Sequence, residues 1–148
     1  MALSSHLLLQ GSSLPQVLQV LHGHCQQQEF ASRMQWLQQW LQQGYLPAAP
    51  EIVQRLGNGI TAQTSVLTAI FIALSHLQLP FGQMLAQVRA LGGDVDTIGA
   101  MAGALWGAAN GVETLMPFAV EQKESLLQLA RQIYLQGAAA NAIPGLPA

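Results

Sequence analysis

Apolar residues recur at three- and four-residue steps almost throughout the chain, and no stretch sustains a period-two run of Val, Ile, Thr and aromatics. That spacing predicts an all-α fold. Leu14-Pro15 opens a helix with Val17, Leu18, Val20 and Leu21 on one stripe, ending near Gly23; Pro15 suits a first turn, where its missing N–H costs nothing. A glutamine-rich helix follows, with Phe30, Met34, Leu37 and Leu41 on one side, Gln35, Gln38, Gln39 and Gln42 on the other, and Trp36 and Trp40 widening the apolar face up to a stop at Gly44. Tyr45 to Pro50 reads as a linker, Glu51 to Leu56 as one or two turns, and Gly57-Asn58-Gly59 as a break. Further helices are expected from about Thr61 to Leu77, from Pro80 to Gly92-Gly93, from Asp96-Thr97 onward, and from Pro117 through Tyr134. Gly99, Gly103, Gly107 and Gly111 fall every four positions beside Ala100, Ala104 and Ala108, a ridge with so little bulk that another helix backbone could approach it closely. Residues 1–136 are expected to form a single domain, and the Ala/Gly/Pro tail at 137–148 a disordered end.

Composition narrows the function classes. Charged residues are 8% of the chain and the formal net charge is -2, so no basic stripe exists to neutralise phosphates, and nucleic-acid binding is not expected. The one cysteine excludes an internal disulfide, and Met1 to Gln10 lacks the positive charge and cleavage site of a secretory leader; a cytoplasmic location is the expectation. No charged residue occurs between Arg55 and Arg89, yet the best apolar window there, Ile60 to Leu79, is broken by Thr61, Gln63, Thr64, Ser65, Thr68, Ser75, His76 and Gln78 and lacks anchoring ends. A helix buried within protein is expected rather than a membrane span.

The chemistry concentrates at one place. Asp94 and Asp96 are the only aspartates, two apart, directly after Gly92-Gly93 and directly before Thr97 and an apolar helix. A Gly-Gly hinge permits a tight turn, and an Asp-x-Asp-Thr segment there can aim two carboxylates and a hydroxyl at one point. Oxygen donors of this kind suit hard ions such as Mg²⁺, Mn²⁺ or Ca²⁺. From spacing alone the alternative stays open that Asp96 or Thr97 simply caps the helix while Asp94 is a solvated loop residue.

The run Leu91-Gly92-Gly93-Asp94-Val95-Asp96-Thr97-Ile98-Gly99-Ala100-Met101-Ala102-Gly103-Ala104-Leu105 is similar to the C-terminal signature of the ADP-ribosylglycohydrolase family, the relatives of dinitrogenase-reductase-activating glycohydrolase. Leu56-Gly57-Asn58-Gly59-Ile60-Thr61-Ala62 with Ser65-Val66, and Trp106-Gly107-Ala108 through Gly111, also resemble that family, so that the likeness is strong over 51–134. It implies the C-terminal half of an all-α fold with a two-metal centre, usually magnesium or manganese, that hydrolyses the bond joining ADP-ribose to a protein side chain or related acceptor. It also implies metal ligation by Asp94, Asp96 and Thr97, with Gly92 and Gly93 beside the substrate. Two ions about 3.5–4 Å apart can orient a ribose and activate water. Two carboxylates and one hydroxyl do not fill two six-coordinate shells. The family completes them from an N-terminal half carrying a Gly-Asp segment and a threonine before paired aspartates, which this sequence does not contain. Ala90 stands where the family often has Asn, Val95 where Thr is usual, and Ala109-Asn110 where an aromatic is common.

Other candidates are weaker. His22 and His24 beside Cys25 point about 200° apart on a helix and cannot share an ion. His76 in its uncharged helix reads as a hydrogen-bonded core or rim residue, Cys25 as a small buried apolar one, and Met101 and Trp106 as core. Two functions remain: a truncated or split glycohydrolase needing an N-terminal-half partner or a homo-oligomer to act on ADP-ribosylated protein, or a non-catalytic helical binding or assembly module.

Overall fold

A computed structural model describes residues 2–24, 27–115 and 119–141. Among them are eight α-helices, α1 (Ala2–Leu9), α2 (Leu14–His24), α3 (Gln28–Gln43), α4 (Ala49–Arg55), α5 (Ala62–Ser75), α6 (Phe81–Leu91), α7 (Val95–Asn110) and α8 (Lys123–Asn141), with a 3-10 turn at Glu113–Leu115 and no strand. The all-α expectation holds. Contacts divide the chain into two units, Met1–Leu115 and Met116–Ala148, each described by itself. Of the second, the described element is α8; it continues past Gly137, where the tail was expected to begin, and residues 142–148 lie outside the described residues, as do Pro117 and Cys25.

In the first unit α5 is the central helix. Leu67, Ala69, Ile70, Phe71, Ile72, Ala73 and Leu74 are all buried, because α3, α6 and α7 pack around it. Each large side chain so buried contributes roughly 1.5–3 kcal/mol. Its polar residues are satisfied locally, which explains why an uncharged stretch can sit in a protein core. The Ser65 hydroxyl donates to the Thr61 carbonyl at 2.9 Å and the Thr68 hydroxyl to the Gly57 carbonyl at 2.7 Å. His76 is buried, and its Nδ1–H donates to the Ile72 carbonyl at 2.9 Å; burial holds the imidazole below its usual pKa, favouring the neutral ring. No described helix is long and apolar enough to cross a membrane.

The glutamine-rich α3 lays Met34, Leu37 and Trp40 into this core, with the Trp40 and Phe71 ring centroids 5.2 Å apart. Trp36 is partly buried and carries the Arg55 guanidinium 4.3 Å above its ring. Gly44 ends α3 in the left-handed conformation, φ 62°, donating to the Leu41 carbonyl while the Tyr45 N–H donates to the Trp40 carbonyl, a Schellman stop. The linker is shorter than its two prolines suggest. Pro50 sits in the first turn of α4, where its fixed φ favours the helix, so only residues 45–48 lie outside the helices there.

Two elements differ from the sequence reading. Residues Ala2–Leu9 form a helix that packs on α7 and α2, burying Ser4 and Leu8; among the described residues the Ser4 hydroxyl has no hydrogen-bond partner. The glycine ridge of α7 does not meet a helix backbone at the two positions nearest α6. A methyl group at Gly99 would lie 3.6 Å from Val88 Cγ1 and one at Gly103 3.7 Å from Phe81 Cε2, ordinary contacts with side chains. Gly111 is the C-cap of α7, not part of a face.

Candidate metal centre

The Gly92–Thr97 segment joins α6 to α7 and owes its shape to two consecutive left-handed glycines, Gly92 at φ 63° and Gly93 at φ 68°. Both residues must be in this region for the chain to leave α6 and enter α7 within three residues. They are not equivalent. A methyl group on Gly92 would meet nothing within 4 Å, whereas one on Gly93 would overlap the Asn58 carbonyl oxygen and fall 2.7 Å from Asn58 Cγ and Nδ2. Gly92, at ψ -165°, lies in a region that only glycine enters readily, so Gly92→Ala is expected to cost about 1–3 kcal/mol from backbone strain alone. Gly93→Ala should cost clearly more, because the obstructing atom is main chain and cannot rotate away. Urea melts of the two variants check the order; equal losses would refute the close approach.

Asp94 is the N-cap of α7, with φ -84° and ψ 60°, and its side chain makes no capping hydrogen bond. Asp96 and Thr97, the expected caps, both lie inside α7; the N-cap position is taken by Asp94, whose carbonyl accepts from the Ile98 N–H at 3.1 Å. Asp96 lies in the first turn, where the helix dipole favours a negative charge. The Asp94 carboxyl beside it, then the N–H groups of Thr97 and of Asp96 itself, hold Asp96 below the usual carboxylate range. Asp94 is half-buried; Asp96 and Thr97 are exposed. The two carboxyls stand together at the start of α7, and all donors here are hard oxygens. The donor set fits one side of a Mg²⁺ or Mn²⁺ site. Among the described residues no group of three or more His, Cys, Asp or Glu could hold an ion.

Asn58 was given no role of its own by the sequence, which read Gly57-Asn58-Gly59 as a break and as part of a run resembling the family. The Asp94 N–H donates to the Asn58 carbonyl at 2.8 Å, and the Asn58 side-chain amide donates to the Leu91 carbonyl at 2.8 Å. The signal available in the sequence was a polar side chain flanked by two glycines just before the buried helix.

The other candidates take structural places. The His24 ring lies 2.9 Å from the Val20 carbonyl, a bond within its own helix. His22 lines an open groove between α2 and α3 with Leu14, Leu18, Gln38 and Leu41, which includes no residue of the Gly92–Thr97 segment. Trp106 is buried, and its indole N–H donates to the His76 carbonyl at 3.0 Å.

This arrangement can be set against known proteins. The family model for ADP-ribosylglycohydrolase matches residues 1–142. The chain belongs to the ADP-ribosylglycohydrolase family. Among curated relatives, it is similar to the ADP-ribosylhydrolase ARH3 of Mus musculus, 36% identical over 140 residues that make up 76% of this chain and 38% of the relative. The Homo sapiens ARH3 is 34% identical over the same shares, and the Danio rerio ARH3 42% identical over 96 residues, 57% of this chain and 26% of the relative. The chain thus spans well under half the length of these relatives.

Proposed function

We infer that this chain supplies the C-terminal side of a divalent-metal site in a glycohydrolase that releases ADP-ribose from a protein side chain or a related acceptor, in a cytoplasmic setting. The observation that carries the reading is the Asp94–Asp96 pair, two neighbouring carboxyls held at the start of α7 by a turn whose backbone is fixed from outside. Asp94, Asp96 and Thr97 would hold Mg²⁺ or Mn²⁺, which when bound contributes Lewis acidity toward ribose oxygens and water. The chain's own contribution is placement. The two carboxylates orient the charge, Gly92 lets a substrate approach main chain that carries no side-chain bulk, Gly93 makes room for Asn58, and Asn58 keeps the turn from relaxing. Effective positioning of this kind accounts for a large part of catalysis in sites that add little covalent chemistry.

Three ligands leave most of two six-oxygen shells to be filled by other groups. An N-terminal half or a second copy would provide them. The test is release of ADP-ribose from a serine- or arginine-modified protein with Mn²⁺, by the chain alone and by the chain mixed with the N-terminal half of a full-length relative. No turnover is expected alone, and turnover is expected in the mixture. Failure of every complementing half would reject the split-enzyme reading and favour a non-catalytic helical module.

A further inference from the structure

Both ends of the Gly92-Gly93 turn are tied to the same residue. Leu91, the last residue of α6, receives the Asn58 side-chain amide at 2.8 Å, and Asp94, immediately past the turn, gives its N–H to the Asn58 carbonyl at 2.8 Å. Between these two bonds Gly93 is seated against Asn58 so closely that a methyl group would overlap the Asn58 carbonyl oxygen. Asn58 is itself fixed from behind. The carbonyl of Gly57 accepts from the Thr68 hydroxyl of α5 at 2.7 Å, and the carbonyl of Leu56 accepts from the Arg33 guanidinium of α3. A continuous path of hydrogen bonds therefore runs from the core helices through residues 56–58 to the main chain of Asp94.

We propose that Asn58 is a positioning residue for the metal-binding turn, setting the direction of the Asp94 carboxylate relative to Asp96. This rests on the metal reading above. The chemistry at position 58 is specific. The side chain must donate to a carbonyl, so aspartate cannot replace it, and it must span from the loop to the end of α6, which serine is too short to do. With few protein ligands to an ion, affinity depends on how well those few are held, and outer partners of metal ligands are commonly worth 10–100-fold.

The experiment is a Mn²⁺ titration of the 148-residue chain, followed by the electron paramagnetic resonance signal of free Mn²⁺, in the wild type, Asn58→Leu, Asn58→Ala and the core control Leu37→Ala. Asn58→Leu keeps the side chain's shape and removes the donor; Asn58→Ala removes both and guards against a misfit of leucine. Circular dichroism melts show that each variant is folded at the titration temperature. Both Asn58 variants should weaken Mn²⁺ binding about tenfold, while Leu37→Ala, which lowers stability away from the turn, leaves it unchanged. Wild-type affinity in both Asn58 variants would overturn the positioning role alone. An equal loss in Leu37→Ala would overturn it too, since affinity would then follow stability. A wild type that does not deplete free Mn²⁺ with the chain at roughly millimolar concentration, the range the ligand count allows, would overturn the metal reading and this role with it. Without metal, hydrogen exchange at the Asp94 amide should quicken in the Asn58 variants.

Discussion

Trp106→Ala is expected to destabilise the Met1–Leu115 unit by about 3–5 kcal/mol. Trp106 is only 3% exposed and its ring packs 5.2 Å from that of Phe81 at the start of α6. Its indole N–H reaches two carbonyls in the α5–α6 connection, His76 at 3.0 Å and Leu79 at 3.3 Å. Alanine removes the ring, opens a cavity where α5, α6 and α7 meet, and takes the shared donor from both carbonyls. Trp106→Phe keeps most of the volume and loses only the donor, so its cost should be about 1–3 kcal/mol. Thermal melts should show the alanine variant lower by on the order of 15 °C, with phenylalanine between it and the wild type. Equal losses for the two would mean that the hydrogen bonds dominate and that the ring's packing counts for little.

Asp94→Ala and Asp96→Ala are each expected to abolish Mn²⁺ binding while leaving helix content unchanged. The carboxyls neighbour one another, and removing either leaves one carboxylate and one hydroxyl, too few to compete with water for a hard cation. Neither side chain is needed for the core: Asp94 makes no capping bond, and Asp96 is an exposed residue whose contacts are confined to the first turn of α7. For the unaltered chain, affinity no better than about the millimolar range is expected from the ligand count. Isothermal calorimetry measures it directly. A micromolar two-ion isotherm on the chain alone would overturn the half-site reading and point to a homodimer completing its own centre.

The sequence revealed helices best where a single face is buried. In α2 and α3 the apolar stripe, the first-turn proline of α2 and the terminal glycine of α3 all agree, and the expected boundaries lie within a few residues of those observed. Residues 2–9 were invisible for the opposite reason: Leu7-Leu8-Leu9 is a continuous run with no polar face, so periodicity says nothing, and the helix exists because α7 lies against it. Pro47 and Pro50 suggested a longer break than occurs, since a proline beginning a helix and one ending it look alike in a string. At the candidate site, the adjacency of Asp94, Asp96 and Thr97 was legible because local spacing produces it. The role of Asn58 was not, because its partners are Leu91 and Asp94, and no local pattern reports a hydrogen bond made across two helices.

That same bond bears on the order of events in folding. Asn58 and Leu91 are 33 positions apart, so the turn between α6 and α7 cannot acquire its form from neighbouring residues; the intervening chain must close first, at an entropic cost met by the docking of α5. The two aspartates have no fixed relation in the unfolded chain and gain one late. A cation recognising the pair is therefore expected to slow unfolding rather than speed folding, which refolding and unfolding rates with and without Mn²⁺ would check.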